Sequence, residues 1–469
     1  MVPAAFCLAL IAQEPPRDIT NKVATAHAWV VRLGREMGDS IWPGFRPDTI
    51  PVLYVIRDKG TLLLGWRGEL PQGFSPVVAS PGAMPRGAWR SSADRGAAST
   101  GTELAGRPTA QVVVDSQGIA SLVGLTTHEA FHVFQTASRK PGRRFGQGEN
   151  SFLVMSYPVF DPPNEAGMAL EGRILGAAEQ ARTQTARRVL ARQFVAVRES
   201  RQRALGADLA NFEQLAELNE GLAEYTLIRS VQLAARRPDF PDRPGAERLH
   251  LSKLAGLHTL TEDVTRSIRL RYYATGPALG TLLDALEGPA WKMRLMNQNL
   301  TLQDALADAS GYRATELAQR RQAESTFVMR SLRTAADSGV AGLRRVRRAQ
   351  VDSILRSPGV QLVVTIEGRS IGFCGIDPQN LLQVEPGVLL HTRWLQACVG
   401  DAFLATFNTP VVQDRNAQTL RAVVGADSTV KVTAGGQGDV LIESPLVSLR
   451  AARADVSRDG RVLTVKIKP

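Results

Sequence analysis

The sequence lacks several features that would assign it to a common class of proteins. Beyond the first 12 residues, no stretch approaches the roughly 18 consecutive apolar residues of a transmembrane helix. The chain also lacks zinc-finger spacing, a recognition-helix signature and a basic motif interleaved with aromatic residues. We therefore expect a folded, soluble protein that has no nucleic acid as its partner.

Acidic residues are fewer than basic residues, 45 against 56. The formal net charge is +11 and the pI is about 10.0, mostly from arginines scattered over helix-like segments such as 183–203 and 313–348. Scattered arginines are typical of solvated helix faces. A basic protein can also associate with an anionic membrane surface or bind acidic substrates, and the composition does not separate these partners.

Cysteine is scarce, with three in the chain. Residues 4–12 (AAFCLALIA) resemble the end of a secretory signal peptide without its positively charged start, so we assign residues 1–17 to a signal-peptide remnant. The alternative is a short N-terminal helical turn. We expect a secreted, periplasmic or cell-envelope protein, in which Cys7 is removed with the signal. Cys374 and Cys398 would then form a disulfide or remain two buried thiols.

The remaining chain divides into three parts by its hydrophobic pattern. Residues 18–121 read as an N-terminal helix and a mixed sheet, with strands at 50–56, 61–66 and 110–114 and a long loop over 80–107. Residues 122–357 read as helical, with long segments at 165–208, 211–235, 247–285 and 312–357. Short strand-like runs separated by turns fill residues 358–469, which predicts an all-β domain.

Histidine is rare too, but two of the six histidines fall in one pentapeptide, His128-Glu129-Ala130-Phe131-His132. Residues four apart on a helix share a face, with Cβ atoms about 5–6 Å apart, so both imidazoles can bind one metal ion. Apolar flanks and the start residues Thr126 and Thr127 predict such a helix. The adjacent carboxylate can take a proton from water that zinc has acidified. The alternative is two histidines on an ordinary helix.

A second motif, Asn219–Tyr225 (NEGLAEY), lies in an apolar-periodic helix predicted over 212–233. HEAFH followed by NEGLAEY resembles the gluzincin metallopeptidases, including the aminopeptidase N and thermolysin-like groups. The resemblance implies that His128, His132 and Glu220 bind one zinc ion per chain and that Glu129 is the general base. Glu224 either orients a ligating histidine or lies on the helix surface without a role.

The interval between the two motifs is longer than in aminopeptidase N-like enzymes, because 87 residues separate His132 from Glu220. Glu165, Glu171 and Glu179 lie in this interval and are alternative third ligands. The motif that surrounds Glu220 favours Glu220 over these three.

Residues 271–276 (RYYATG) resemble the Tyr-x-x-Gly segment of aminopeptidase N-like enzymes. The resemblance implies that the Tyr273 hydroxyl stabilises the oxyanion formed during attack. Tyr272 would take this role if the helix register differs, and either tyrosine could instead pack in the core.

These interpretations predict an α+β protein, in which a zincin-like catalytic unit of a small sheet and a helical half precedes an all-β C-terminal domain. The predicted function is zinc-dependent hydrolysis of amide bonds in a peptide or protein substrate. One alternative is a catalytically silent zinc-site protein that serves as an envelope binding or scaffolding module. Another is a basic binder of polyanions in which the histidine motif is coincidental. The sequence leaves the cleavage specificity and the oligomeric state open.

Overall fold

The computed structural model describes residues 17–77, 87–92, 98–260, 268–313, 317–377, 380–435 and 438–468. The segment assigned to a signal peptide is outside the described residues, apart from its last position. Within the ranges described, no helix is both long and apolar enough to cross a membrane. The protein is mixed α/β, with an N-terminal helical half and a C-terminal all-β region.

The N-terminal sheet lies beside helix α1 (Arg17–Ile41). Its described strands are β1 (Val52–Ile56), β2 (Gly60–Leu64), β3 (Ser75–Val77), β4 (Gly87–Arg90), β5 (Thr100–Leu104) and β6 (Arg107–Val114). They lie in the order β3-β4-β2-β1-β6-β5, and β1 pairs with β6 in parallel. The central strands β1 and β2 are buried along their whole length, as their continuous apolar sequences predict.

The prediction of a loop over 80–107 is wrong for the residues described there, because β4 and β5 lie within this range. The sequence of β5, TGTEL, hides its strand character since this strand is exposed at the edge of the sheet and contributes little to the core. Among the described strands, β5 pairs with β6 alone. Its other edge therefore offers backbone N–H and C=O groups that no described strand engages.

Helices make up most of the chain from 119 to 356. They are α2 (Ile119–Ala137), α3 (Pro162–Gln180), α4 (Gln184–Leu205), α5 (Ala207–Ala216), α6 (Leu222–Ala235), α7 (Arg243–His258), α8 (Tyr272–Glu287), α9 (Ala290–Asn297), α10 (Leu302–Ser310), α11 (Leu317–Thr326) and α12 (Met329–Arg356).

The long helical segments predicted from the sequence are divided in the structure. The segment 165–208 is two helices, because Thr183 caps α4 with a hydrogen bond from the Ala186 N–H to its hydroxyl. The segment 247–285 is also split, into α7 and α8, and residues 261–267 lie outside the described residues. Amphipathic periodicity continues across both breaks, which is why it does not reveal them.

The C-terminal region packs two antiparallel-rich sheets around its own apolar core. Its described strands are β7 (Gln361–Ile366), β8 (Gly372–Ile376), β9 (Leu381–Glu385), β10 (Val388–His391), β11 (Leu395–Val399), β12 (Phe403–Phe407), β13 (Val411–Asp414), β14 (Thr419–Val423), β15 (Lys431–Ala434), β16 (Val440–Glu443), β17 (Val447–Ala451), β18 (Ala454–Asp459) and β19 (Val462–Ile467). One sheet has the order β18-β19-β7-β14-β13-β10-β9 and the other β15-β16-β17-β12-β11-β8. The predicted all-β character of the C-terminal region is confirmed.

Cys374 on β8 and Cys398 on β11 form a disulfide, so the first of the two outcomes left open by the sequence holds. The bond joins the edge strand β8 to its neighbour in the second sheet. The β region is also attached to the helical half, since Val351 of α12 packs with Val388 and Val412. The Gln383 amide donates to the backbone carbonyl groups of Val154 and Tyr157, at 2.9 and 2.8 Å.

Candidate metal centre

The histidine motif lies on α2, which follows β6 directly along the chain. This helix is buried on most of its circumference, and His128 and Glu129 are 3% and 4% exposed. His128, Glu129 and His132 bring one potential ligand atom each to within 4.8 Å of one another. The helical spacing inferred from the sequence therefore produces a buried group that could hold a metal ion.

Glu220 approaches the same place from a different element. It lies in a π-helical turn, Glu217–Gly221, between α5 and α6. Such turns are rare and often occur at functional sites, because they displace side chains relative to a regular helix. Glu220 Oε2 is 3.5 Å from His128 Nε2 and 3.5 Å from His132 Nε2, and the two nitrogens are 3.1 Å apart. His128, His132 and Glu220 together form a candidate metal site, which is called the metal site below.

These distances match what zinc requires. A tetrahedral zinc ion with bonds of about 2.0–2.1 Å to nitrogen and oxygen holds its ligand atoms about 3.4 Å apart. The three edges of the triangle lie within about 0.3 Å of that value. The donor set of two imidazoles and one carboxylate is also one that zinc accepts in catalytic sites.

The outer nitrogen of each histidine is already hydrogen bonded. His128 Nδ1 lies 3.0 Å from Glu224 Oε2, and His132 Nδ1 lies 3.0 Å from Gln135 Oε1. The Gln135 amide is oriented by donating to the Leu218 carbonyl at 2.8 Å, so its oxygen faces the imidazole. Both Nδ1 atoms therefore act as donors, and in the neutral rings both Nε2 lone pairs point into the metal site.

Three acceptor atoms thus converge on one point, which favours a positive charge there. Burial alone lowers the pKa of His128, but hydrogen bonds to Glu220 and Glu224 raise it to about 10. The same histidines outweigh burial at Glu220 and hold its pKa well below the ordinary value. A proton or a metal cation would satisfy this arrangement, and only the cation would engage all three atoms.

A buried ion bridge fixes the second oxygen of Glu220. Arg269 lies 2.5 Å from Glu220 Oε1 and 2.6 Å from Glu149 Oε1. Glu149 in turn accepts a hydrogen bond of 3.1 Å from Asn219. Because Arg269 engages Oε1, Oε2 is the oxygen of Glu220 that faces the two histidines. No local sequence pattern marks Glu149 or Arg269, and sequence reasoning did not identify them.

Tyr273 is the tyrosine of the RYYATG segment that reaches the metal site. Its hydroxyl donates to Glu220 Oε2 at 2.5 Å, and its ring stacks on His128 with a centroid distance of 5.7 Å. Tyr272 is 1% exposed and packs in an apolar cluster with Phe212. The two residues point in different directions because they are neighbours on one helix.

Gly276 explains why α8 can approach the metal site. A Cβ at Gly276 would collide with the backbone of Gly221 in the π-helical turn, and a Cβ at Gly221 would lie 2.9 Å from the Cα of Gly276. The two glycines therefore allow direct backbone contact between the elements that carry Glu220 and Tyr273.

The other glutamates considered as third ligands lie elsewhere. Glu165 pairs with Arg271 at 2.5 Å, and Glu171 pairs with Arg198 and Arg201 at 2.8 and 2.6 Å. Burial raises the pKa of Glu179 to about 7, but no described contact links it to the metal site. Gln135 was missed, although its position three residues after His132 on one helix is a signal that could have revealed it.

A cleft of about 1500 Å³ opens beside the metal site. Its lining includes His128, Glu129 and Tyr273 on one side, together with Thr100 at the start of the edge strand β5. A second cavity of about 590 Å³ reaches His132 and Glu220. The site can thus be approached by a molecule larger than a typical small ligand.

No family model matches the chain, and neither a curated protein nor a solved structure matches it.

Proposed function

We propose that this protein is a zinc-dependent metallohydrolase, and that its substrate is a peptide or protein. The observation that carries the proposal is the triangle formed by His128 Nε2, His132 Nε2 and Glu220 Oε2, with edges of 3.1, 3.5 and 3.5 Å. A similarity to gluzincin peptidases, in which these residues would hold one zinc ion per chain, is part of the same proposal.

A zinc ion held there would polarise a substrate carbonyl and bring the pKa of water toward about 7. Glu129 lies next to the metal site and lines the cleft. Its carboxylate accepts the proton of the attacking water and passes it to the nitrogen of the leaving amine. In this proposal the Tyr273 hydroxyl, which donates to Glu220 Oε2 in the structure, would donate instead to the oxygen that becomes negative during attack, once zinc takes Oε2 as a ligand.

The edge strand β5 supports a peptide substrate. Thr100 of β5 lines the cleft, and Gly101 packs against His132, since a Cβ there would lie 3.4 Å from the His132 Cβ. An extended peptide can pair with the free side of such a strand through main-chain hydrogen bonds. This pairing would place a peptide carbonyl near the metal site without depending on particular side chains.

Metal analysis and peptide hydrolysis together test the proposal. We expect about one zinc per chain in the wild type, and loss of that zinc in His132→Ala and Glu220→Ala because each removes one of three ligands. Glu129→Gln should retain zinc and lose hydrolysis of an internally quenched peptide library by at least about 100-fold, since it removes the general base.

Matched controls use the same residue types away from the site. His250→Ala and Glu247→Ala on α7 should keep both zinc and activity, because neither residue lines the cleft. A wild-type protein that takes up no zinc when supplied with it would overturn the proposal. Stoichiometric zinc without hydrolysis of any peptide would instead favour the catalytically silent zinc-site protein.

A further inference from the structure

The C-terminal β region forms the wall of the cleft that faces the metal site. Described residues from three of its connecting segments line the cleft together with His128 and Glu129. They are Ile376, Asp377 and Asn380 of the first segment, 392–394 of the second and 408–410 of the third. We call these segments the recognition loops. Loops that project from one end of a rigid β structure are a common place for specificity, since they vary without disturbing the core.

Hydrogen bonds hold the recognition loops in place. The Thr392 N–H donates to the Asn380 carbonyl at 2.9 Å, and the Asn380 amide donates to Asp377 at 2.6 Å. The ring of Trp394 lies directly over Gly375, where a Cβ would collide with it. The disulfide between Cys374 and Cys398 joins β8 and β11, the strands next to the first and second of these loops. These two loops are therefore preorganised to bind a ligand at low entropic cost.

Among the described residues, three arginines line the cleft, and they differ in their partners. Arg57 lies 3.3 Å from Asp115, and Arg269 is engaged by Glu149 and Glu220. Arg393, at the centre of the second recognition loop, is exposed and has no hydrogen bond or ion pair within the described ranges. Its guanidinium is thus available for a ligand, and its planar donor geometry suits a carboxylate.

We propose that the β region determines the substrate specificity of the cleft and that Arg393 binds a carboxylate of the substrate. Acidic peptides are then the preferred substrate class. The inference rests on the proposed peptidase function. The net charge of +11 supports it, since a basic protein attracts acidic peptides over a distance. Trp394, next to Arg393, presents an aromatic surface to the same part of the substrate.

The test uses matched internally quenched peptides that differ only by Glu, Gln or Lys at one position, with that position moved along the peptide. At one position the wild type should prefer Glu over Gln by about tenfold in kcat/KM, as a charge-assisted contact provides. Arg393→Ala should remove this preference by lowering kcat/KM for the Glu peptide to about the value for the Gln peptide. Arg393→Glu should shift the preference toward Lys. Arg415→Ala, an exposed arginine of the same region that does not line the cleft, should behave as wild type.

Measuring peptide binding without hydrolysis tests this inference independently of the proposed function. The Kd of the Glu and Gln peptides is measured with the zinc-loaded Glu129→Gln variant, with and without Arg393→Ala. Tighter binding of the Glu peptide that depends on Arg393 supports the inference, even if the wild type hydrolyses no peptide and the peptidase proposal fails. Equal binding and equal hydrolysis of the Glu and Gln peptides at every position would overturn it, as would an equal loss for all peptides in Arg393→Ala.

Discussion

At the scale of the residue, the metal site depends on contacts that orient each ligand from the side facing away from the metal. His128 is held by Glu224, and Glu224 is in turn paired with Lys253 of α7. His132 is held by Gln135, and Glu220 by Arg269. Each outer contact fixes a ring or carboxylate plane that would otherwise rotate, which lowers the entropic cost of binding a metal ion.

Removing Glu224 should weaken metal binding without removing a ligand. We expect Glu224→Ala to raise the Kd for zinc by about 10–100-fold, because His128 Nδ1 loses its acceptor. Competition with a chromogenic chelator measures this Kd. Lys253→Met serves as the control, since it removes the partner of Glu224 and leaves the contact to His128 in place. An unchanged Kd in Glu224→Ala would assign Glu224 to the packing of the helix alone.

A buried histidine outside the site should make stability depend on pH. Burial lowers the pKa of His27 to about 4 from its ordinary value near 6.5. Between these values the unfolded chain binds a proton that the folded chain does not, so stability falls as the pH drops from about 6.5 toward 4. The loss reaches about 3 kcal/mol for this residue.

His27→Gln should make that dependence shallower, because glutamine does not titrate. Urea denaturation at a series of pH values between 4.5 and 7 measures the free energy of unfolding. The change in this free energy per pH unit should decrease by the equivalent of up to one bound proton. A slope equal to that of the wild type would show that His27 is not held neutral.

At the scale of the element, the site depends on close contact between the π-helical turn and α8. A network of buried ion pairs holds the same turn from its other side. Arg198 of α4 lies 2.6 Å from Glu217 in the turn, and the Thr275 hydroxyl of α8 donates to Glu217 at 2.5 Å. The turn is thus tied to two helices, and it keeps a geometry that an isolated peptide would not favour.

Gly276→Ala should separate the two elements. Alanine would ordinarily stabilise a helix relative to glycine by about 1 kcal/mol, but here its Cβ would collide with the Gly221 backbone. We expect a net destabilisation of about 1–3 kcal/mol together with weaker zinc binding, since Glu220 and Tyr273 shift apart.

Urea denaturation and chelator competition measure both effects of this substitution. Thr281→Ala, at an exposed position of the same helix, should change neither. A Gly276→Ala protein that is more stable than the wild type would contradict the close contact.

At the scale of the whole molecule, the described residues form two large apolar cores. One is shared by the N-terminal sheet and the helical half, and the other fills the β region. They meet through a small apolar contact at α12 and the hydrogen bonds of Gln383. A limited contact of this kind allows each part to unfold on its own.

Calorimetry should therefore show two thermal transitions that respond to different treatments. Zinc should raise the midpoint temperature of the first transition, which belongs to the part that contains the metal site, because the ion binds only its folded state. Reducing the disulfide should lower the free energy of unfolding of the β region by up to about 3 kcal/mol, since the bond closes a loop between residues 24 apart. The midpoint temperature of the second transition should fall accordingly.

The double variant that carries Cys374→Ser and Cys398→Ser is the control for the reducing agent, and it should shift the second transition alone. A single transition that responds equally to zinc and to reduction would mean that the two parts unfold together.

The sequence by itself determined the features that depend on local periodicity. His128 and His132 share a helix face because they are four residues apart, Glu129 follows from the same spacing, and alternating apolar residues mark the strands of the β region. Such features arise within one element, where the backbone geometry alone sets which side chains are neighbours.

The tertiary structure alone decided what comes together from distant parts of the chain. It placed Glu220 beside histidines that precede it by 88 and 92 positions, and it directed Tyr273 rather than Tyr272 toward them. It also brought Arg269 to Glu220 and Arg393 to the far wall of the cleft. These contacts depend on how helices and domains pack, and packing is set by shape and buried area summed over the whole chain, which no local pattern contains.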